Sequence, residues 1–204
     1  MKKIVLTGGS CSGKTSIAYL LEQAFPGEVV VVKEVATTLL KGDFPVPPAD
    51  HADFETWQTY FEQAILPVQI ALEDAHAMLA GPEVKLMICD RGLLDVDAYV
   101  PGCSAEILQR HGLTSTSALD RYDLVIHLVS LAVADPEKYG QIGNEYRFET
   151  LERATQLEHR CQVAWQKHPN RIIIDEADWS KKTNQVIELV REFLARLDSA
   201  KLDK

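Results

Sequence analysis

The chain has 204 residues, 46% of them apolar, and a formal net charge of −9. That length and apolar content suit one compact domain with a sizeable core, and the acidic balance argues against a nucleic-acid surface, which needs a basic face. No apolar run approaches a membrane span, and Met1-Lys2-Lys3 is followed by too few apolar residues for a secretion signal.

Residues 2–8 read as a strand buried on both faces, and Lys14 to Phe25 as a helix that stops before Pro26-Gly27. Between them lies Gly8-Gly9-Ser10-Cys11-Ser12-Gly13-Lys14-Thr15, a complete G-x-x-x-x-G-K-T loop in the strand–loop–helix context that the motif requires. Its glycines let the backbone turn tightly and bring successive N–H groups onto one phosphate. The helix beginning at Gly13 adds its positive end. Residues Gly8 through Ser16 are therefore expected to bind nucleotide, with Lys14 reaching the outer phosphates and the Thr15 hydroxyl ligating magnesium.

Val29-Val30-Val31-Val32 is too short and too β-branched for a helix and reads as a second buried strand, ending in Lys33-Glu34. The stretch Gly42 to Pro48 is rich in breakers and reads as a loop. Phe54, Trp57, Phe61, Ile65, Val68 and Leu72 then fall at three- and four-residue spacing, which predicts a long helix that Pro67 should kink or split. Val84 to Cys89 is the third strand, leading into Asp90-Arg91-Gly92, and residues 93–121 read as short helices and turns. Asp123 to Val129 is the fourth strand. The polar stretch from 132 to about 147, punctuated by Pro136, Gly140 and Gly143, reads as a flap. Arg147 to Lys167 is helical, Arg171 to Ile174 is the fifth strand, and Trp179 to Leu197 is a terminal amphipathic helix. Residues 1–198 thus form one domain, with 199–204 as a frayed tail. Nearly all-apolar strands alternating with helices predict an α/β, three-layer fold: a five-stranded parallel sheet with helices on both faces. Cys11, Cys89, Cys103 and Cys161 are scattered, with no C-x-x-C pair, which suits free thiols in a reducing cytoplasm.

Ligands of such sheets sit at the carboxyl ends of strands. Asp90, at the end of strand three, is a Walker-B-type carboxylate that can hold magnesium beside Thr15. Arg91 can clamp an acceptor or a transferring phosphoryl group, or pair with a sheet-end carboxylate. Glu34 stands where a base can meet an acceptor hydroxyl. Arg147, beyond the flap, can neutralise charge on the transferred group, with Arg153 as a further candidate. Trp179 can pack on a nucleobase or begin the core of the last helix. Gln69 and Glu73 share a helix face and can read an acceptor's polar groups or simply face solvent. His51 and His127 show no metal-ligand spacing.

Leu6-Thr7-Gly8-Gly9-x-x-Ser12-Gly13-Lys14-Thr15, Glu34-Val35-Ala36, Gln69-x-x-x-Glu73, Asp90-Arg91-Gly92-x-x-Asp95 and Tyr146-Arg147-x-Glu149 together resemble the AAA-type P-loop family. Its members include the ribosylnicotinamide kinase domain of the bacterial NAD regulator and a fly photoreceptor translocation-defect protein. The resemblance runs from about Lys3 to about Leu194. It implies a P-loop NTPase fold, and a relationship to nucleoside and nucleotide kinases in which Glu34 is the base and Asp90-Arg91 follow strand three.

Two functions are therefore expected to compete. One is a Mg²⁺-dependent kinase that moves the γ-phosphoryl group of ATP to a nucleoside- or nucleotide-like small molecule. The other is an ATP- or GTP-dependent switch or adaptor that hydrolyses slowly. A guanine-specific switch of the Ras kind would carry Asn/Thr-Lys-x-Asp after a late strand, and Asp175-Glu176-Ala177-Asp178 lacks the lysine.

Overall fold

The computed structural model describes residues 1–48, 50–139 and 150–202. In chain order these form β1 (Lys2–Thr7), α1 (Lys14–Ala24), β2 (Val29–Val32), α2 (Val35–Lys41), α3 (Phe54–Leu79), β3 (Leu86–Asp90) and α4 (Val96–Tyr99). There follow α5 (Cys103–Arg110), α6 (Ser115–Asp120), β4 (Leu124–Leu128), α7 (Leu131–Ala134), α8 (Leu151–Ala164), β5 (Arg171–Ile174) and α9 (Trp179–Leu202). The five strands make one sheet in the order β2-β3-β1-β4-β5. Every pairing is parallel.

Side chains alternate across a strand, and here both sets are buried. Ile4 and Leu6 pack with Ile17 and Leu21 of α1 and with Val186, Val190 and Leu194 of α9. Val5, Met87, Cys89 and Val125 face the other way, onto Leu66 and Ile70 of α3 and onto Trp165 beyond α8. This two-sided burial is why the strands carry almost no polar residues. It also fixes the third layer.

Several local expectations are corrected. Pro67 lies inside α3, which runs unbroken for 26 residues. The buried Leu66 and Ile70 on either side anchor that stretch, so packing outweighs the single backbone hydrogen bond that proline removes. The chain also turns into α2 directly after Glu34, over residues whose β-branched Val35, Thr37 and Thr38 do not themselves favour a helix. Finally, the helix expected from Arg147 begins at Leu151, where the Thr150 side chain accepts from the Arg153 N–H as an N-cap. The expected flap over 132–147 opens with α7 instead. Its residues 140–149, Arg147 among them, lie outside the described residues. α9 runs past residue 198 to Leu202. Among the described residues no helix is long and apolar enough to cross a membrane, and all four cysteines are free thiols.

Candidate functional site

The phosphate loop leaves β1 at the centre of the sheet. Gly8 has φ 131°, and a Cβ there would lie 2.1 Å from the Leu128 carbonyl oxygen, so only glycine fits this turn. Gly13 takes the left-handed conformation as N-cap of α1. The ring of Trp179, at the start of α9, packs against it, close enough that a Cβ on Gly13 would sit 2.6 Å from the ring. Trp179 thus braces the loop, and with Asp178 and Ala177 it also lines the cleft that the loop opens into.

Lys14 is buried, and its Nζ donates to the carbonyls of Gly8 (2.9 Å) and Gly9 (2.8 Å) and to Ser12 Oγ (2.9 Å). Burial first, then the charge of Arg91, lowers its pKa; Asp90 and Glu34 pull the other way. Its ammonium is wrapped by the loop itself.

Beside it, Thr15 Oγ1 donates to Asp90 Oδ2 at 2.6 Å. Asp90 Oδ1 is buried with no hydrogen-bond partner among the described residues. Burial, then the neighbouring Glu34, pushes the Asp90 carboxyl up to about 6, against the pull of Lys14, Thr15 and Arg91. A hydroxyl and a carboxylate oxygen in want of a partner are a donor set that suits a hard cation.

Arg91 follows β3 in a left-handed backbone conformation, φ 74°, of a kind tolerated only where its surroundings over-determine it. Its N–H is held by the Leu6 carbonyl at 3.0 Å. The guanidinium Nε donates to Glu34 Oε1 at 2.7 Å, and another nitrogen reaches Tyr99 Oη at 3.1 Å. The Thr37 hydroxyl donates to Glu34 Oε2 at 2.5 Å. Burial alone would raise the Glu34 carboxyl; the Arg91 charge and the two hydrogen bonds outweigh it and hold the group at about 2. Asp95 stands behind this pair. It takes the Thr7 hydroxyl at 2.6 Å, the Gly92 N–H at 2.8 Å and the Trp165 indole N–H at 3.2 Å.

Lys14, Thr15, Glu34, Arg91 and Asp95 line one cleft of about 1780 Å³, with Asp90 buried behind Thr15. At the end away from the loop, Trp57 and Phe61 stack 5.1 Å apart at 13°, and Phe44 lies 5.1 Å from Phe61. Within that apolar wall sits Glu62, 3% exposed, whose Oε1 accepts from Gln58 Nε2 at 2.6 Å. Burial pushes its carboxyl up to about 8, against the smaller pull of Gln58 and Arg91. Neither residue stood out in the sequence, where both sit inside an apolar helical repeat.

Glu62 gives a pH prediction. Its folded-state pKa lies above the ordinary 4.5, so the folded protein holds this proton more tightly than the unfolded chain. The resulting stability is fully present below about pH 4.5 and is lost as pH rises through about 8. At about 1.4 kcal/mol per pKa unit, Glu62→Gln should gain a few kcal/mol relative to the parent between pH 5 and pH 9, measured by urea unfolding. Parallel pH profiles of the two proteins would contradict the burial of an uncompensated acid.

The remaining expected positions divide. Glu34, Asp90, Arg91, Lys14 and Thr15 come together at the carboxyl ends of β1, β2 and β3. Arg153 lines the cleft from the first turn of α8. Gln69 and Glu73 are corrected as surface residues: both are buried, and Gln69 also lines the cleft. Gln69 donates to the Arg91 carbonyl at 3.2 Å. Glu73 takes Lys3 Nζ at 2.9 Å, Arg121 at 3.1 Å and the Tyr122 hydroxyl at 2.6 Å, so it is an internal counter-ion. His127 is fully buried and hydrogen-bonded to Glu158 at 2.5 Å.

A family model described as "AAA domain" matches residues 3–182. Among solved structures, the deoxyadenosine kinase of M. mycoides, determined with bound dATP, is similar at a TM-score of 0.53 and 13% identity, covering 93% of this chain and 99% of that one. At that identity the likeness is one of fold. No curated protein matches the chain in sequence. The family match extends from β1, through the phosphate loop and all five strands, into the first turn of α9, and the chain accordingly belongs to the AAA domain family of P-loop proteins.

Proposed function

We propose that this protein is a small-molecule kinase that transfers the γ-phosphoryl group of ATP, with Mg²⁺, to a nucleoside- or nucleotide-like acceptor. The observation that carries this reading is the Glu34–Arg91 pair, 2.7 Å apart, lining the same cleft as the phosphate loop and the Trp57–Phe61 wall. A nucleotide switch needs no carboxylate there. A kinase needs one to orient the incoming hydroxyl. The deoxyadenosine kinase whose fold this chain shares takes a nucleoside, and the aromatic wall with Glu62 and Gln58 is the kind of surface on which a planar base can lie.

The chemistry follows from positioning and charge, as in other phosphoryl transfers. The loop amides and Lys14 hold the triphosphate. Thr15 would hold the magnesium directly and Asp90 directly or through water; when bound, the ion offsets charge on the outer phosphates. Glu34, held at about 2, is ionised at every working pH and so accepts a hydrogen bond from the acceptor hydroxyl. In a loose transition state that proton leaves late, when the new P–O bond has acidified it, and a weakly basic carboxylate is sufficient. Arg91, fixed by Glu34 and Tyr99, presents its remaining donors to the phosphoryl oxygens.

Release of ADP measured over nucleosides, ribosylnicotinamide and nucleoside monophosphates tests the reading. Acceptor-dependent ADP is the expected result. Slow hydrolysis indifferent to every acceptor would favour the switch.

A further inference from the structure

The phosphate loop is fastened from α8, by a residue that no motif marks. We propose that Glu158 is a positioning residue whose carboxylate clasps the loop at Gly9 and sets the shape in which it receives phosphate. This inference goes beyond the acceptor chemistry and rests only on the loop binding nucleotide.

Glu158 Oε2 accepts the Gly9 N–H at 2.8 Å and the Ser130 N–H at 3.1 Å. Its Oε1 faces His127 Nε2 at 2.5 Å and Gln162 Nε2 at 3.2 Å. An ionised carboxylate only accepts, so His127 donates through Nε2–H. Burial would raise this carboxyl, but the His127 contacts and the Gly9 N–H lower it to about 2, and the clasp is charged. The Ser130 hydroxyl also donates to the Ser10 carbonyl, and the Leu131 N–H reaches the Cys11 carbonyl at 3.4 Å. Four consecutive loop residues, Gly8 to Cys11, are thus fitted against the end of β4, the start of α7 and the middle of α8. The fit is close: a Cβ on Gly9 would stand 3.0 Å from Glu158 Oε2 and 3.2 Å from its Cβ.

A negative charge beside an anion-binding loop opposes the anion. A glutamine of the same shape would pack equally well without that opposition. The carboxylate differs in one respect: it can take two backbone N–H groups on one oxygen while its other oxygen takes two side-chain donors. A carboxamide would turn its own N–H₂ towards one pair of those donors. The same helix lines the nucleotide end of the cleft through Thr150, Arg153 and Leu157, so α8 joins the loop to the cleft wall as one rigid part.

The test is Glu158→Gln, read by calorimetry with Mg-ATP and with inorganic tripolyphosphate, alongside the thermal midpoint and steady-state kinetics. Affinity for both phosphate ligands should fall about tenfold or more, while kcat at saturating ATP stays within about threefold and the midpoint moves by only a few degrees. A folded variant that binds both ligands within twofold of the parent would overturn the proposal. The intact protein supplies a second reading that does not depend on the variant folding. Its Gly9 and Ser130 amides should exchange slowly with deuterated solvent without nucleotide, and fast exchange at Gly9 would equally overturn the clasp. Absence of ATP binding in the parent would sink the nucleotide reading, and the exchange measurement would still decide for or against the clasp.

Discussion

Glu34→Gln is expected to lower kcat for acceptor phosphorylation by about 10²- to 10⁴-fold, the usual worth of a positioned general base, with ATP affinity changed by less than about threefold. Glutamine keeps the length and can still receive the Thr37 hydroxyl, which now donates at 2.5 Å, so the start of α2 should be undisturbed. What is lost is the charge that orders Arg91 and the acceptor hydroxyl together. Arg91 would keep Tyr99 Oη at 3.1 Å and the Asp95 carboxylate at 3.6 Å, and the guanidinium should stay near its place. Steady-state kinetics with a saturating acceptor checks this, with any acceptor-independent hydrolysis as the internal control. A variant indistinguishable from the parent would remove Glu34 from the chemistry and with it the main support for a kinase.

Lys14→Ala should weaken Mg-ATP binding by about 10²-fold or more, because hydrogen bonds between an ammonium and phosphate oxygens are worth about 1.5–3 kcal/mol each. Its effect on folding has two opposed parts. The variant loses the three bonds to Gly8, Gly9 and Ser12 and leaves their oxygens to water. It also removes a cation whose burial is unfavourable, as its lowered pKa records. The net change should be about 1 kcal/mol, small beside the loss in binding. Calorimetric titration with ATP and a thermal melt of the free variant separate the two effects. Undiminished ATP affinity would contradict the assignment of the loop.

The features that sequence resolves well here are those with local causes. Val29–Val32 and Arg171–Ile174 are strands over the same residues that composition predicts, because runs of β-branched residues have few other places to go. The phosphate loop declares itself because its geometry is made by glycines within one turn. The remainder of the site depends on partners far apart in the chain. Glu158 meets Gly9 across 149 positions, and no spacing rule connects them. Glu62 sits one residue after Phe61 in an apolar repeat, and only the folded packing makes it a buried acid. Glu73 is polar by composition but internal by contact, since Lys3 and Arg121 arrive from two other elements to meet it. Helix α2 forms although its β-branched residues speak against a helix.

The strand order has a consequence for how the chain is made. β1 precedes the other four strands of its sheet in the chain and is the middle one of the finished sheet. Its two neighbours begin only at Leu86 and Leu124. During synthesis β1 must therefore wait, one edge unpaired until β3 is extruded and the other until β4 follows it. Long-range closure of this kind slows folding and leaves an aggregation-prone intermediate for chaperones to shield.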